Sequence, residues 1–398
     1  MQHPRFYTLA SRPNDYPAVR IPSQPVPHWA AFWTEFLDWI GCPVASAFLD
    51  EPLSFFSLGR YALAEAMRRA GVGEGTAVLL PAYHCRSMVE PVMYLNAVYP
   101  MTTNLQPDLS AASELARDGK VRALVMTHYF GFANALETTQ AFCASLGIVI
   151  IEDCAHALYG KHDGKPLGTS GQYATASTWK FLPVRGGAML RDNSGGAIAK
   201  LRTQPLLSEI KTCAAMVEIG LKRLIQSRSL PAINAAELRE RAKNIADQLA
   251  RMNTNDIGIG PPTFQKESAE KSGLYVTRGM VWAAAHRHTA HQRRKNYLRW
   301  LEVTQDIPGI RPFFPDLPGG IVPYVFPILT EHGEIFFHTM KLAGIPLYRW
   351  EDMAMTDCPV SQDYRLRLLR LPCHQGLRSQ ELDWMLDVLR KVSYRYAG

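Results

Sequence analysis

The segment Gly147-Ile148-Val149-Ile150-Ile151-Glu152-Asp153-Cys154-Ala155-His156-Ala157 runs an apolar stretch into two carboxylates and then an imidazole. A buried strand that ends in acids sets them at the carboxyl edge of an α/β sheet, where open sheets bind their ligands. Asp153 is thus placed where such sheets carry their chemistry, or it could cap the next helix. Lys180 follows 27 residues later (180 − 153), within Ala176-Ser177-Thr178-Trp179-Lys180-Phe181-Leu182-Pro183-Val184-Arg185-Gly186-Gly187. A lysine among apolar neighbours ahead of a glycine turn is placed for a depressed amine pKa and condensation with a carbonyl. Alone, such a lysine is ordinarily solvated.

As a pair the two residues narrow the chemistry. Pyridoxal phosphate requires a lysine for its aldehyde and a carboxylate that keeps its ring nitrogen protonated. Both must be carried on ordered elements, and the pattern around them supplies these. Helical periodicity over Tyr61–Ala70, Cys85–Leu95 and Leu136–Leu146 alternates with strand-like runs at Ala77–Leu80, Ala123–Thr127 and Ile148–Ile151, which predicts βαβ units and a parallel sheet. Residues 197–251 read as helical, and Gly258-Ile259-Gly260-Pro261-Pro262 as a loop. A helix over 279–303, a strand Val322–Leu329, a helix Glu334–Ala343, a strand Ile345–Leu347 and a last helix over 379–392 form a second unit. The expected organisation is an N-terminal arm and helix over 1–50, with the helix at His28–Ile40, a large α/β domain over 51–260 and a smaller α+β domain over 261–398.

At 398 residues, 47% hydrophobic and 20% charged, the chain has the composition of a globular protein with large cores. No apolar run approaches the roughly 18 residues of a membrane span. The N-terminus lacks the basic flank, apolar core and cleavage site of a secretory signal, so a cytoplasmic setting is expected. Cys42, Cys85, Cys143, Cys154, Cys213, Cys358 and Cys373 are scattered and never form a C-x-x-C pair, which predicts reduced thiols. The net charge of +7 is spread along the chain and does not by itself indicate nucleic acid. His286, His288 and His291 lack the i, i+4 spacing of a helical zinc pair, so no metal site is expected. Arg293-Arg294-Lys295 reads as a solvated helix face, and Phe313, Phe314, Tyr324 and Phe326 as core.

The order of motifs resembles the DegT/DnrJ/StrS family of pyridoxal-phosphate sugar aminotransferases. The matching pieces are Gly59-Arg60-Tyr61-Ala62-Leu63, Pro81-Ala82-Tyr83-His84, Glu152-Asp153-Cys154-Ala155-His156-Ala157 and Lys165-Pro166-Leu167-Gly168-Thr169-Ser170-Gly171. Arg278-Gly279-Met280-Val281-Trp282, Gln292-Arg293-Arg294-Lys295-Asn296-Tyr297 and Leu371-Pro372-Cys373-His374 continue the likeness, which spans about residues 55 to 392.

That resemblance implies fold type I of the pyridoxal-phosphate transferases: a large domain with a mostly parallel sheet flanked by helices, and a smaller C-terminal α+β domain. It implies that Lys180 carries the cofactor and moves the proton, that Asp153 holds the ring nitrogen, and that His156 lies near the ring. The phosphate would sit on Gly59 and Arg60 at a helix N-terminus, with Ser177 as a hydroxyl donor, and Tyr83 or His84 would stack on the ring. Departures from the pattern lie at the rim: Leu58 and Arg60 stand where serine and threonine are usual, Phe181 and Val276 where asparagines are. Arg60 would thus bring a guanidinium to the phosphate. The implied activity is transfer of an amino group from glutamate or another amino acid to a keto sugar, nucleotide-linked, in polysaccharide or secondary-metabolite biosynthesis. A homodimer with shared sites and Arg278 near the partner is implied as well. The alternatives are a transaminase for a non-sugar carbonyl, and a cofactor-binding regulator or inactive homologue.

Overall fold

The computed structural model describes residues 6–7, 16–17, 21–27, 44–50, 52–92, 96–226, 229–251, 263–350 and 352–393. The expected helix His28–Ile40 and loop Gly258–Pro262 lie outside them. The main sheet has seven strands, β1 (Ser54–Phe56), β2 (Ala77–Pro81), β3 (Asn96–Tyr99), β4 (Val121–Thr127), β5 (Val149–Cys154), β8 (Tyr173–Ser177) and β9 (Ala188–Asp192), in the order β1-β9-β8-β5-β4-β2-β3. A two-stranded ribbon of β6 (Lys161–His162) and β7 (Lys165–Pro166) interrupts their sequence. Strands β8, β5, β4, β2 and β3 run parallel, and β9 lies antiparallel between β8 and β1. Strands buried on both faces read as continuous apolar runs, which is why Val149-Ile150-Ile151 was legible.

Helices cover the sheet: α1 (Gly59–Arg69), α2 (Arg86–Val89), α3 (Leu109–Leu115) and α4 (Leu136–Leu146). The α1 face Tyr61, Ala62, Leu63, Ala66 and Met67 is buried, at helical spacing. Helix α4 has the expected bounds and stops at Gly147, whose φ of 65° closes the helix in the left-handed region and turns the chain into β5. Of the helix expected over Cys85–Leu95, Arg86–Val89 is α-helical and Glu90–Val92 is a 3₁₀ turn, and residues 93–95 lie outside the described residues. Pro91 has no N–H to continue the ladder.

Beyond β9 come α5 (Leu206–Ile225), α6 (Ala235–Arg251), α7 (Lys266–Ala269), α8 (Tyr275–Trp282) and α9 (His286–Thr304). The single helix expected over 279–303 is thus two, broken where Ala285 is buried and His286 meets the Tyr159 hydroxyl at 2.6 Å. Tertiary contact overrides propensity at that break. A second, antiparallel sheet orders β10 (Ile310–Pro312), β11 (Val325–Thr330) and β12 (Leu368–Pro372), with α10 (Gly333–Leu342), α11 (Pro359–Arg367) and α12 (Ser379–Ser393) around it. The expected strand Ile345–Leu347 is not one; Pro346 removes a donor, and only Tyr348 bridges to Arg370. Among the described residues no helix is long and apolar enough to cross a membrane.

Arg293 corrects the expected solvated face. It is fully buried, and among the described residues it has no carboxylate partner. Its Nη1 donates to Tyr324 O (2.8 Å) and Pro323 O (3.3 Å), its Nη2 to Lys180 O (2.8 Å) and Phe181 O (3.2 Å), and its Nε to Gln375 Oε1 (3.1 Å). Burial pushes its pKa down. One guanidinium therefore joins the turn that follows β8, the approach to β11 and the loop after β12. Arg294 is likewise bound, to Pro318 O (2.7 Å) and Ile321 O. Replacing Arg293 by Met leaves these buried acceptors without donors, so Arg293→Met should lose about 3 kcal/mol or more in urea unfolding. A loss under about 1 kcal/mol would show that water replaces the guanidinium.

Candidate active site

A cavity of about 410 Å³ opens where β5 and β8 end. These strands are adjacent and parallel, pairing Asp153 with Thr175 and Cys154 with Ala176, so residues near both carboxyl ends meet at one edge. Asp153 comes from β5, Ser177 ends β8, and Lys180 closes the 3₁₀ turn Thr178–Lys180 that follows. Parallel pairing thus brings together side chains that are distant in sequence. Thr178 braces the turn by donating to Gly186 O (2.9 Å) and Gly187 O (3.0 Å). Gly187 has a φ of +87°, and a Cβ there would lie 2.5 Å from Thr178 Oγ1, so glycine is required.

Successive residues of a strand face opposite ways, and the two acids of β5 have different roles. Glu152, fully buried, accepts from Ser170 N (2.6 Å) and Gly171 N (2.7 Å) on one oxygen. Its other oxygen meets Gly168 N (3.0 Å) and His128 Nε2 (2.8 Å). Burial raises its pKa, but these hydrogen bonds outweigh burial and hold the carboxyl below its usual range. Glu152 organises the 168–171 turn. Asp153 instead borders the cavity and uses Oδ1 to accept from Ala155 N at 2.9 Å. Burial lifts its pKa, and the Lys180 charge pulls against that rise.

Lys180 Nζ lies 5.7 Å from the Tyr324 ring centroid and makes no hydrogen bond or ion pair among the described residues. The His156 ring is stacked among Tyr324 (4.6 Å), Trp350 (5.6 Å) and Phe130 (5.7 Å). Burial, followed by the charges of Lys180 and Arg370, keeps its pKa well below the ordinary histidine value. Phe130 N donates to its Nδ1 at 3.4 Å.

Helix α1 opens on the cavity with Gly59 and Arg60, has no side-chain cap at Leu58 and carries no acid in its first turn. Its leading N–H groups have no intrahelical acceptors, and the helix dipole there favours an anion. A Cβ on Gly59 would come to 3.2 Å from Ser177 Oγ, so glycine and serine together shape a close cradle. The Arg60 guanidinium is occupied: it donates to Thr263 O at 2.6 Å and lies 3.9 Å from Glu90. Thr263 and Glu90 thus hold Nη1 of the guanidinium, while the Arg60 backbone amide stands in the first turn of α1.

Neither Tyr83 nor His84 lines the cavity; Cys85 does. Tyr83 packs into the core against Trp350 (4.7 Å) and Tyr129 (5.8 Å), and His84 is buried with its pKa pushed down to about 4. The loop register after Pro81 is one or two residues from the expected one. Sequence reasoning also missed Tyr324, Trp350 and Arg370, which reach the cavity from the second sheet and its loops. The arm contributes too: Gln24 donates to the Tyr324 hydroxyl (2.8 Å), and His374 Nε2 meets Pro22 O (2.9 Å). The expected aromatic core is thus partly cavity wall at Tyr324.

Residues 54–202 match the model of the DegT/DnrJ/EryC1/StrS aminotransferase family. That segment, which holds β5, β8 and the Lys180 turn, is similar to the family that the sequence resembles. Over 162 residues the chain is 30% identical to an L-glutamine:scyllo-inosose aminotransferase of Streptomyces griseus, covering 39% of this chain and 37% of that one. Over 135 residues it is 32% identical to a pleiotropic regulatory protein of Geobacillus stearothermophilus, covering 32% and 34%. The matched stretch spans about a third of the length of these relatives. An aminotransferase structure from Streptoalloteichus hindustanus aligns with a TM-score of 0.63 at 17% identity, over 95% of this chain and 100% of that one. The fold is that of the fold type I aminotransferases.

Glu152→Gln tests the division of labour between the two acids. A carboxyl whose folded pKa is depressed stabilises above its unfolded value, near 4.3, and loses that contribution as pH falls through the folded value. At pH 7 the variant should be less stable by about 2 kcal/mol. The difference in Tm between the two proteins should shrink toward pH 3, and a pH-independent difference would contradict an ionised Glu152.

Proposed function

We propose that this chain is a pyridoxal-phosphate aminotransferase that moves an amino group from an amino acid, glutamate, to a keto sugar, nucleotide-linked, in polysaccharide or secondary-metabolite biosynthesis. One observation carries the reading: Lys180 and Asp153 border the same cavity as the uncapped N-terminus of α1. The donor set fits pyridoxal phosphate. Lys180 has an amine without a partner among the described residues, Asp153 has a buried carboxyl with one oxygen uncommitted to the backbone, and Gly59 lets the Ser177 hydroxyl stand close to the open end of α1. The bound cofactor would supply an electron sink for the substrate carbon that loses its proton.

The residues divide the remaining tasks. Asp153, raised in pKa by burial, would be stabilised as a carboxylate by the protonated ring nitrogen of the cofactor. Lys180 would hold the cofactor through its amine and, once that amine is free, would carry the proton between the substrate carbon and the cofactor carbon across the nitrogen. His156, neutral and stacked, sets the depth at which a ring is held. The backbone amides of Gly59 and Arg60 and the Ser177 hydroxyl receive the phosphate. Trp350 and Tyr324 wall the site against water.

Support for the substrate class comes from the Streptomyces griseus relative, whose name pairs L-glutamine with scyllo-inosose. We place the enzyme in the cytoplasm as a homodimer. Helix α5 exposes Leu206, Leu207, Ile210, Leu221, Leu224 and Ile225, an apolar surface that a second copy would cover. The 51–260 and 261–398 division is retained as the working domain boundary. A regulator reading is kept because of the Geobacillus relative's name.

Borohydride reduction of protein incubated with pyridoxal phosphate should place the pyridoxyl group on Lys180 in peptide maps, and Lys180→Ala should abolish the label. Asp153→Asn should keep the label but slow the reaction with glutamate by about 100-fold or more. A label on another lysine, or none, would overturn the assignment.

A further inference from the structure

The N-terminal arm contributes two side chains to the cavity, Ser23 and Gln24. They lie in Ile21-Pro22-Ser23-Gln24-Pro25-Val26-Pro27, where three prolines fix φ and Pro25 holds Gln24 itself extended. Neighbours anchor the segment on both sides of the pair. Ile21 and Pro25 are buried, and Pro22 O accepts from His374 Nε2 at 2.9 Å. A Cβ on Gly376 would lie 3.7 Å from Val26 N and one on Gly220 3.4 Å from Pro27 O, so the arm runs against both the loop after β12 and α5. Gln24 Nε2 donates to the Tyr324 hydroxyl at 2.8 Å. Among the described residues Gln24 Oε1 meets no donor, and the Tyr324 hydroxyl, which accepts from the amide, gives its own proton to no other group.

We propose that Gln24, together with the Tyr324 hydroxyl, selects the acceptor by binding a ring hydroxyl next to the carbonyl of a polyhydroxylated cyclic ketone. This rests on the functional reading above and names a specificity residue within it. An alcohol both donates and accepts, and here an unengaged amide oxygen stands beside a phenol proton, so the pair meets both halves of one hydroxyl. A carboxylate only accepts, and the amide oxygen repels it, so a keto acid is served less well at this place. Tyr324 sets the distance to the chemistry. Its ring centroid lies 5.7 Å from Lys180 Nζ and 4.6 Å from the stacked His156 ring, while its hydroxyl reaches Gln24. One tyrosine thus spans from the reacting amine to the arm, which sets the hydroxyl it holds near the carbonyl rather than on a distant part of the substrate. Because the prolines restrict the arm before any ligand arrives, little conformational entropy is lost in holding Gln24 there. An analogue without the hydroxyl leaves both groups unmade, which turns the contact into discrimination.

The test compares scyllo-inosose with its 2-deoxy analogue, which lacks one hydroxyl beside the carbonyl, as acceptors for the pyridoxal-phosphate-treated protein and for Gln24→Met and Tyr324→Phe. The wild type should favour scyllo-inosose in kcat/KM by at least ~10-fold, and each variant should bring that ratio to within about twofold of unity. Methionine keeps the length of glutamine without its hydrogen bonds, so a packing role alone would leave the ratio where it was. In Gln24→Met the loss in kcat/KM should be at least ~10-fold greater for scyllo-inosose than for glutamate. Borohydride labelling at Lys180 in both variants shows the fold and cofactor site to be intact. Equal use of the two ketones by the wild type, a ratio that survives Gln24→Met, or a wild type that reacts with glutamate and uses neither ketone, would overturn the inference. A wild type that does not react with glutamate would overturn the aminotransferase reading instead. Calorimetric binding of scyllo-inosose that weakens at least ~10-fold in Gln24→Met would then leave the hydroxyl site standing, and equal or absent binding would remove it too.

Discussion

A carboxyl group held out of water at the end of a parallel strand is the constraint around which this structure is arranged. Burial of Asp153 disfavours its charge, and one backbone amide and the nearby Lys180 offset only part of that. A cation placed beside Asp153 would offset the remainder. In the proposed function a pyridinium aldehyde would supply that cation and a partner for Lys180, and the open α1 N-terminus would receive the accompanying phosphate. None of these features has an equally direct explanation as core packing.

Keeping that edge in place falls to groups behind it. Glu152 fastens the 168–171 turn and His128 from the face opposite Asp153, which fixes the strand that carries both acids. Arg293 gathers carbonyls from the Lys180 turn, from residues 323–324 and, through Gln375, from the loop after β12. The second sheet is thereby locked to the first beside Lys180. This is what lets Tyr324, Trp350 and Arg370 act as walls of a cavity whose chemistry starts on the other sheet. The 21–27 segment closes over the same junction through Gln24 and Pro22.

Those features of the site that depend on one strand and its end were legible in the sequence. An apolar run ending in acids announced β5, Gly147 marked the stop before it, and the lysine ahead of two glycines marked the turn. Features that depend on distant pairing were not. Arg293 sits in a basic helix and looks solvated until Lys180 O and Tyr324 O are known to surround it. Arg370 sits in a short strand whose partners lie across the second sheet. Tyr83 and His84 were misplaced because one residue of register in the loop after Pro81 decides which side chain enters the core and which, here Cys85, faces the cavity. Helix α1 was readable as a helix, but its missing cap acquires meaning only beside Ser177.

The central claim is that Lys180 and Asp153 perform transfer rather than storage. Its most direct measurement is a single turnover: cofactor-loaded protein mixed with glutamate and no acceptor, with 2-oxoglutarate and pyridoxamine phosphate quantified together. One equivalent of each per labelled Lys180, and none from Lys180→Ala, is the expected result. A loaded, folded protein that releases no 2-oxoglutarate from glutamate, and no keto acid from any other common amino donor, would contradict it.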